Sequence, residues 1–588
     1  MRSSLGRSIV KLIDALAIGR RPLPENAIPF RVRLACGFTP LHFETFLVAA
    51  LREQCPREHI VVTTGLFGDL AGNIEAFVPL GYDALVSVIE WQDLDLRLGI
   101  RNLGGWRTTD VPDIVRSAQR MLGRLEKTIL AAATSMPVYI SLPTLPLPPL
   151  FTAPSQQASL PELELRQALS AFATSLAAQP RVRLLSASCL DEASPIATRF
   201  DIQSELSAGF PYQLPHAAAL AEQLGHLIRN PAPKKGLITD LDDTLWLGIL
   251  GEIGVDRVCW NLDRHAQIHG IYQQFLASLA SSGVLSAVAS KNEPALVRQA
   301  LEREDILISK ESLYPIDVHW GPKSHSVRRI LKTWNIMADT VVFIDDSPME
   351  LAEVKAVFPD MECLLFPKDD SQAFWQLLRH LRDIFGKTVV SEEDSIRLDS
   401  IRSSAALRHS SNGEAASLDD FLQDAKANVV ITLGREKEDR RAFELINKTN
   451  QFNLNGNRLT ESSWIAYFND PAHFLMTVSY DDKFGALGKI AVLLGRMRNS
   501  VATVDYWVMS CRAFSRRIEY QSLHWLFETF DLQEIALDYK PTDRNQPIQD
   551  FLAGITTLFL PGDVRILRDA FSEKCPPLFH HAKAAVNA

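Results

Sequence analysis

Short apolar runs of strand length alternate along most of this chain with stretches whose apolar residues recur at helical spacing. From residue 31 to about 230 the strand-like runs are 30–35, 59–63, 84–89, 136–141 and 182–187, and helical patterns at 41–53 and 109–135 lie between them. Further on, the runs ending at Asp240, Ser290 and Asp345 are each apolar almost throughout, again with helix-like stretches between. Strands alternating with helices predict parallel sheets, whose sites lie beyond the carboxyl ends of their strands. The pattern then changes. Runs at 429–433, 474–480, 488–494 and 504–509 are separated by turns, and helices are predicted at 436–448, 515–530 and 547–558. At the other end, Leu5, Ile9, Leu12, Ile13 and Leu16 share one helical face, which predicts an amphipathic docking helix.

Proline and polar stretches punctuate these patterns. Pro143 to Pro154 reads as a loop, and Pro231-Ala-Pro-Lys-Lys235 as a boundary. Residues 391–424 are polar and charged, with a helix start at Ser417-Leu-Asp-Asp420. The expected organisation is an arm at 1–30, an α/β domain at 31–230, a central domain with a Rossmann-like parallel sheet at 231–388, a helical connector at 389–426, and an α+β domain at 427–588. The fold class is therefore multidomain α/β.

Composition narrows the function classes. The 588 residues are 46% hydrophobic and 22% charged, with a net charge of −9, so nucleic acid is not the expected partner. The sequence has no apolar run of about 18 residues, so no membrane span is expected. The seven cysteines are scattered without a CxxC pair, which argues against structural zinc or a disulfide framework and makes a reducing cytoplasm the expected compartment.

The candidate chemistry begins at Leu237-Ile-Thr-Asp-Leu-Asp-Asp-Thr-Leu-Trp246. A buried strand would deliver Asp240 and Asp242 to its carboxyl end. Oxygen ligands for Mg²⁺, a carboxylate nucleophile and a second carboxyl to move a proton are what phosphoryl chemistry needs. Leu285-Ser-Ala-Val-Ala-Ser290, Lys323 in Trp320-Gly-Pro-Lys-Ser324, and Val341-Val-Phe-Ile-Asp-Asp-Ser347 follow in order. Asp240 to Ser290 spans 50 residues and Ser290 to Lys323 spans 33, which leaves no room for a large lid domain. An open site suits a group carried on a bulky partner. Gly65-Leu-Phe-Gly-Asp-Leu-Ala-Gly-Asn73 lacks a phosphate-loop lysine and reads as a turn. His216 and Asp201 have no serine partner visible in the sequence.

These four motifs resemble those of the haloacid dehalogenase (HAD) superfamily. The resemblance implies that Asp240 is the nucleophile and Asp242 the general acid/base. It also implies that Ser290 and Lys323 hold the phosphoryl oxygens, and that Asp240, the Asp242 carbonyl, Asp345 and Asp346 form an Mg²⁺ site. Thr244, Lys291 and Asn292 are the implied substrate contacts. Gly248-Ile-Leu-Gly-Glu252, Ser290-Lys-Asn292, Ile446-Asn-Lys-Thr-Asn-Gln-Phe-Asn-Leu454 and Met509-Ser-Cys-Arg512 further resemble the FkbH-like branch. That branch implies removal of phosphate from 1,3-bisphosphoglycerate and transfer of the glyceryl unit to the phosphopantetheine arm of an acyl carrier protein in polyketide or related biosynthesis. Residues 31–230 weakly resemble a degenerate SGNH-hydrolase domain, with Gly37-Phe-Thr39 where its serine would stand. Residues 427–588 resemble a GNAT acyltransferase, with Arg512-Ala-Phe-Ser-Arg-Arg517 in place of the usual glycine-bearing pyrophosphate loop.

FkbH-like proteins commonly carry a cysteine just before the serine of the second motif. Here that residue is Ala289. Either another thiol, Cys511 first, serves as the acyl carrier, or the acyl group passes directly. Arg496, Arg498, Arg512, Arg516 and Arg517 lie close in sequence and are expected to steer an acidic carrier protein. The alternatives are a phosphohydrolase without acyl transfer and a non-catalytic assembly module.

Overall fold

The structure, a computed structural model, describes residues 10–586 apart from 77–80, 104, 152, 391–393, 395, 400, 403–417, 437–438, 484, 499–500, 515, 557–561 and 563. The chain divides into two compact units, Met1–Pro231 with Leu459–Asn469, and Ala232–Arg458 with Asp470–Ala588. The first unit thus ends at Pro231, within the proline-rich segment 231–235. The central sheet, the connector and the α+β region, expected as separate domains, form one unit, and residues 459–469 leave the last region for the first unit.

The first unit is built on five parallel strands, β1 (Ile28–Cys36), β2 (Glu58–Thr64), β3 (Ala84–Val88), β4 (Val138–Ser141) and β5 (Val182–Leu184), in the order β2-β1-β3-β4-β5. The apolar run of β3 is buried over its whole length, as a central strand covered on both faces requires. The helix Val111–Ala133 buries Val111, Ile114, Val115, Ala118, Leu122, Leu125, Ile129 and Ala132, one stripe at three- and four-residue spacing. Helix Glu461–Tyr467 belongs here through an Arg183–Glu461 ion pair and a Ser462 hydroxyl donating to Asp83 at 3.0 Å.

Of the amphipathic face expected near the amino end, Ile13 and Leu16 are exposed. The helix Leu12–Gly19 buries Ala15 and Ile18, whereas Ile13 is 73% exposed. Arg52 fixes its end by donating to the carbonyls of Gly19 and Arg21 at 2.6 and 2.7 Å. Leu5 and Ile9 lie outside the described residues, as does Ser417.

The second unit holds two sheets. In the first, β6 (Gly236–Thr239), β7 (Leu285–Ser290), β8 (Leu313–Val318), β9 (Val341–Asp345) and β10 (Glu362–Leu365) are all parallel, in the order β10-β9-β6-β7-β8. The strands that carry the sequence motifs, β9, β6 and β7, are therefore neighbours. Gly236 lets β6 lie against the helix Lys323–Trp334, since a Cβ there would come within 2.6 Å of the Trp334 ring.

The second sheet contains β11 (Asn428–Gly434), β12 (Phe452–Asn453), β13 (His473–Asp482), β14 (Gly485–Arg498), β15 (Val501–Met509), β16 (Glu534–Leu537), β17 (Val564–Leu567) and β18 (His581–Val586). Its order is β17-β16-β15-β14-β13-β11-β18, with β12 on β15. The strands β11, β13, β14 and β15 pair antiparallel, and β16 joins β15 in parallel over Val501–Val504 only. Beyond Val504 the two diverge. There β12 pairs with Val508 and Met509, and Asn455 donates to the carbonyls of Asp505 and Asp538 at 2.9 and 3.0 Å. The gap between the parallel strands is thus filled by the chain itself.

Candidate active site

The extended run of β6 ends at Asp240, whose backbone N–H donates to Ile344 of β9 at 3.0 Å. That register brings Asp240 beside Asp345 at the end of β9. Lys323 opens its helix directly after Pro322 and reaches between them, 2.9 Å from Asp240 Oδ2 and 2.5 Å from Asp345 Oδ2. Carboxylate oxygens of Asp240, Asp345 and Asp346 lie within 4.8 Å of one another. Asp240, Asp345 and Lys323 are all buried.

Burial raises the carboxyl groups of Asp240 and Asp345 above their usual range, and their mutual repulsion raises Asp345 further, while Lys323 opposes both shifts. Burial works against the charge of Lys323, but the two carboxylates outweigh it and lift its pKa. Ser347 N–H donates to Asp345 Oδ1 at 2.9 Å. The hydroxyl of Ser290, buried at the end of β7, lies near enough to Asp240 to favour its charged form. Even so, Asp240 Oδ1 is buried with no hydrogen-bond partner among the described residues. An orphaned carboxylate oxygen among three converging carboxylates, with only oxygen donors, fits a hard divalent cation such as Mg²⁺. Asp240, Asp345 and Asp346 are the side chains that would hold it.

The carboxylate of Asp242 is outside this cluster. Its Oδ1 accepts from Trp246 Nε1 at 2.9 Å and from Leu250 N–H at 3.2 Å, and its Oδ2 from Asn292 Nδ2 at 2.9 Å. Burial raises its pKa to about 6, against these three donors, so both protonation states are accessible near neutrality. The Asn292 amide is thus spent on holding Asp242. Lys291 donates to Glu350 at 2.7 Å. Thr244, expected to touch substrate, is wholly buried and offers it no surface. Its carbonyl accepts from His269 Nδ1 at 2.9 Å.

Two basic and acidic partners escaped the motifs. Lys368, beyond the carboxyl end of β10, donates to Asp243 at 2.7 Å and to Asp346 at 3.0 Å. Asp243 takes a left-handed backbone conformation, φ 51°, and accepts from Gly248 N–H at 2.7 Å, closing the turn after β6. A polar residue just past a strand end was the available signal for Lys368.

Cys511 and Arg512 stand elsewhere. The Cys511 carbonyl accepts from Asn335, the residue after the far end of the Lys323–Trp334 helix, at 3.5 Å. The Cys511 thiol is close enough to Lys235 to act on its charge, and Lys235 directly precedes β6, at the end opposite Asp240. Five extended residues span about 16 Å, so Cys511 faces the amino edge of the sheet and cannot stand in for the cysteine replaced by Ala289. Ala289 itself is fully buried.

The arginine cluster also dissolves. Arg496 and Arg498 pair with Thr503 and Val501 at one end of β15, while Arg512 follows its other end, on the order of 25 Å away. Arg516 is buried, donates to the Arg512 carbonyl at 2.8 Å, lies over the Tyr480 ring and is 3.7 Å from Asp482. Arg517 pairs with Asp419. Ser515 lies outside the described residues.

In the first unit His216 does meet a serine that the sequence did not reveal. Its ring nitrogens lie 3.0 Å from the hydroxyls of Ser194 and Thr144, and all three residues are buried. Thr144 and Tyr212 also donate to buried Glu90 at 2.6 and 2.8 Å. Burial drives His216 down to about 3, keeping it neutral. Asp201 caps a helix by accepting from Ser204 N–H at 2.9 Å. The N–H of Thr39 is tied to the Gly209 carbonyl at 2.8 Å. Gly65–Asn73 is partly helical from Leu70, and its Gly65, Leu66, Asp69, Gly72 and Asn73 line, with Arg33, a cavity of about 640 Å³.

No protein-family model matches the chain, and no curated protein does. Among solved structures it is similar to the crystal structure of the N-terminal part of the protein BF1531 from Bacteroides fragilis, described as containing a phosphatase domain complexed with Mg. Identity is 15%, over 64% of this chain and 99% of that one, with a TM-score of 0.49.

Proposed function

We propose that this chain is an Mg²⁺-dependent HAD-type enzyme that dephosphorylates a phosphoglyceryl donor and passes the glyceryl unit to an acyl carrier protein. The observation that carries the phosphoryl half is the convergence of Asp240, Asp345 and Asp346 around Lys323 at the carboxyl ends of β6 and β9. Bound Mg²⁺ would supply charge neutralisation for the phosphoryl oxygens. Asp240 supplies the nucleophilic oxygen. It forms a bond to phosphorus as the ester oxygen leaves, and Asp242 gives that oxygen its proton. Asp242 then takes a proton from water, which attacks the phosphorus and releases phosphate, restoring both residues. Lys323 neutralises charge between nucleophile and phosphoryl group, and Ser290 is placed to donate to it.

The acyl half rests on the FkbH-like motifs and on the donor, 1,3-bisphosphoglycerate. Its acyl phosphate can be attacked at the carbonyl carbon by the pantetheine sulfur, with phosphate as the leaving group. Its phosphate ester is the group for Asp240. The antiparallel strands β11, β13, β14 and β15 followed by parallel β16 support a GNAT-like reading of that sheet.

Three observations favour the second reading, a phosphohydrolase without acyl transfer. Ala289 is buried where a thiol is common in that branch, Cys511 is remote, and β12 fills the gap between β15 and β16. Intact-mass analysis of a phosphopantetheinylated carrier protein, incubated with this chain, Mg²⁺ and 1,3-bisphosphoglycerate, separates them. Gain of a glyceryl unit supports transfer. Phosphate release with an unchanged carrier supports the second reading, and neither product contradicts both.

A further inference from the structure

The turn that follows β10, Leu365-Phe-Pro-Lys-Asp-Asp370, is held on both sides of its lysine. Before it, Phe366 N–H donates to the Asp345 carbonyl at 2.9 Å. The buried Phe366 ring lies 5.1 Å from Tyr272 and 5.6 Å from Phe374, and stacks on His269 at 5.3 Å. His269 in turn bonds the Thr244 carbonyl at 2.9 Å, in the turn after β6. After the lysine, the Asp370 carboxylate accepts from Gln372 and Ala373 N–H, both at 2.9 Å, and so caps the helix Ser371–Phe385. Lys368 therefore leaves a fixed piece of backbone.

Its ammonium ties together two other strand ends. It donates to Asp243 Oδ2, in the turn after β6, at 2.7 Å, and to Asp346 Oδ2, directly after β9, at 3.0 Å. The three side chains are partly buried, at 34, 20 and 19% exposure. One ammonium shared by two half-covered carboxylates constrains them more than an exposed surface pair, which contributes little. Asp243 is itself a firm anchor. Its left-handed backbone, φ 51°, is a conformation that a residue other than glycine keeps only where its surroundings hold it, and Gly248 N–H does so at 2.7 Å. Of the three converging carboxylates, Asp240 and Asp345 are held by Lys323, and Asp345 by Ser347 N–H as well. Asp346 is held by Lys368, through Oδ2, which leaves its Oδ1 for a cation.

We infer that Lys368 is a positioning residue for the divalent cation, fixing Asp346 as a ligand with Asp243 as the anchor. The inference rests on the reading of Asp240, Asp345 and Asp346 as the Mg²⁺ site. An untethered carboxylate has to be ordered as the cation binds, and loss of such an outer partner commonly costs about 10- to 100-fold in metal affinity. A lysine beside a ligand also repels the cation, so charge alone would give tighter binding once the lysine is removed. At 34% exposure solvent weakens that repulsion, and positioning outweighs it.

The test is Mn²⁺ binding to the full chain without substrate, followed by the electron paramagnetic resonance signal of the free ion, in variants of matched thermal midpoint. Mn²⁺ is chosen because it takes the same oxygen ligands as Mg²⁺. Wild type should bind one ion at a site that Asp345→Asn abolishes. Lys368→Met should weaken binding at least tenfold, and Lys368→Arg, which keeps the charge and the donors, should recover to within about threefold of wild type. Asp243→Asn takes the anchor from Lys368 without touching a ligand. It should weaken binding about threefold and covers the case in which Lys368→Met fails to fold. Affinity equal to or tighter than wild type in Lys368→Met, or in Asp243→Asn where only that variant folds, would overturn the inference and leave the metal site standing. So would Lys368→Arg binding no tighter than Lys368→Met. Absence of any site in wild type would overturn both the inference and the reading beneath it.

Discussion

Lys323 shows how residue-scale physics constrains this protein. An ammonium at 4% side-chain exposure stays charged because two carboxylates hold it, and they stay close together because it is there. Lys323→Met should therefore lower phosphate-releasing turnover by roughly two or more orders of magnitude, the scale of a lost electrostatic group in a dry site. A loss below tenfold in kcat would reduce the lysine to a loop support. Asp93 offers a second test, in the first unit. Burial raises its pKa to about 8, so the folded state binds its proton more tightly than the unfolded chain, whose carboxyl has the ordinary value of 3.8. Between those two values the folded state holds more protons, so this group's contribution falls as pH rises. Asp93→Asn should flatten the decline in thermal midpoint between about pH 5 and 8. A variant with the same slope as wild type would show that Asp93 does not titrate with folding.

At the scale of elements, the parallel sheets were largely legible. All five strands of the first sheet overlap the apolar runs that predicted them, and the central β3 and β4, covered on both faces, are buried throughout. The strand-end residues Asp240, Ser290 and Asp345 were legible for the same reason, with Lys323 opening the helix that follows β8. What escaped was set by distant partners. Short strands such as β10, β16 and β17, four residues each, carry too little pattern to stand out, and β12 is two residues long. The proximity of Arg496 and Arg498 to Arg512 along the chain misled, since β15 runs between them. Asn455 tests the filled gap between β15 and β16. Asn455→Ala leaves two carbonyls without their donor and should cost about 1–3 kcal/mol in urea unfolding. An unchanged midpoint would mean that water replaces the amide without loss.

At the scale of the whole molecule, the carboxylate cluster of Asp240, Asp345 and Asp346 lies within the second unit. The first unit keeps the parallel sheet, but its histidine is neutral, buried and bonded to two buried hydroxyls. We therefore expect no esterase turnover from residues 31–230. Ester hydrolysis by the full chain that Thr39→Ala abolishes would contradict this. No described helix is long and apolar enough to cross a membrane. Carrier-protein docking through Arg516 is not expected, since charge reversal of a buried arginine beside Asp482 and Tyr480 would damage the fold before it altered an encounter rate.

The central claim is that Asp240 is the nucleophile of an Mg²⁺-dependent phosphoryl reaction. It is tested most directly by phosphate release from a small phosphate ester by the full chain, with Mg²⁺ or with EDTA, in wild type and in Asp240→Asn of matched thermal midpoint. The account predicts release by wild type with Mg²⁺ only, and none from Asp240→Asn in either condition. Undiminished release from Asp240→Asn would contradict it.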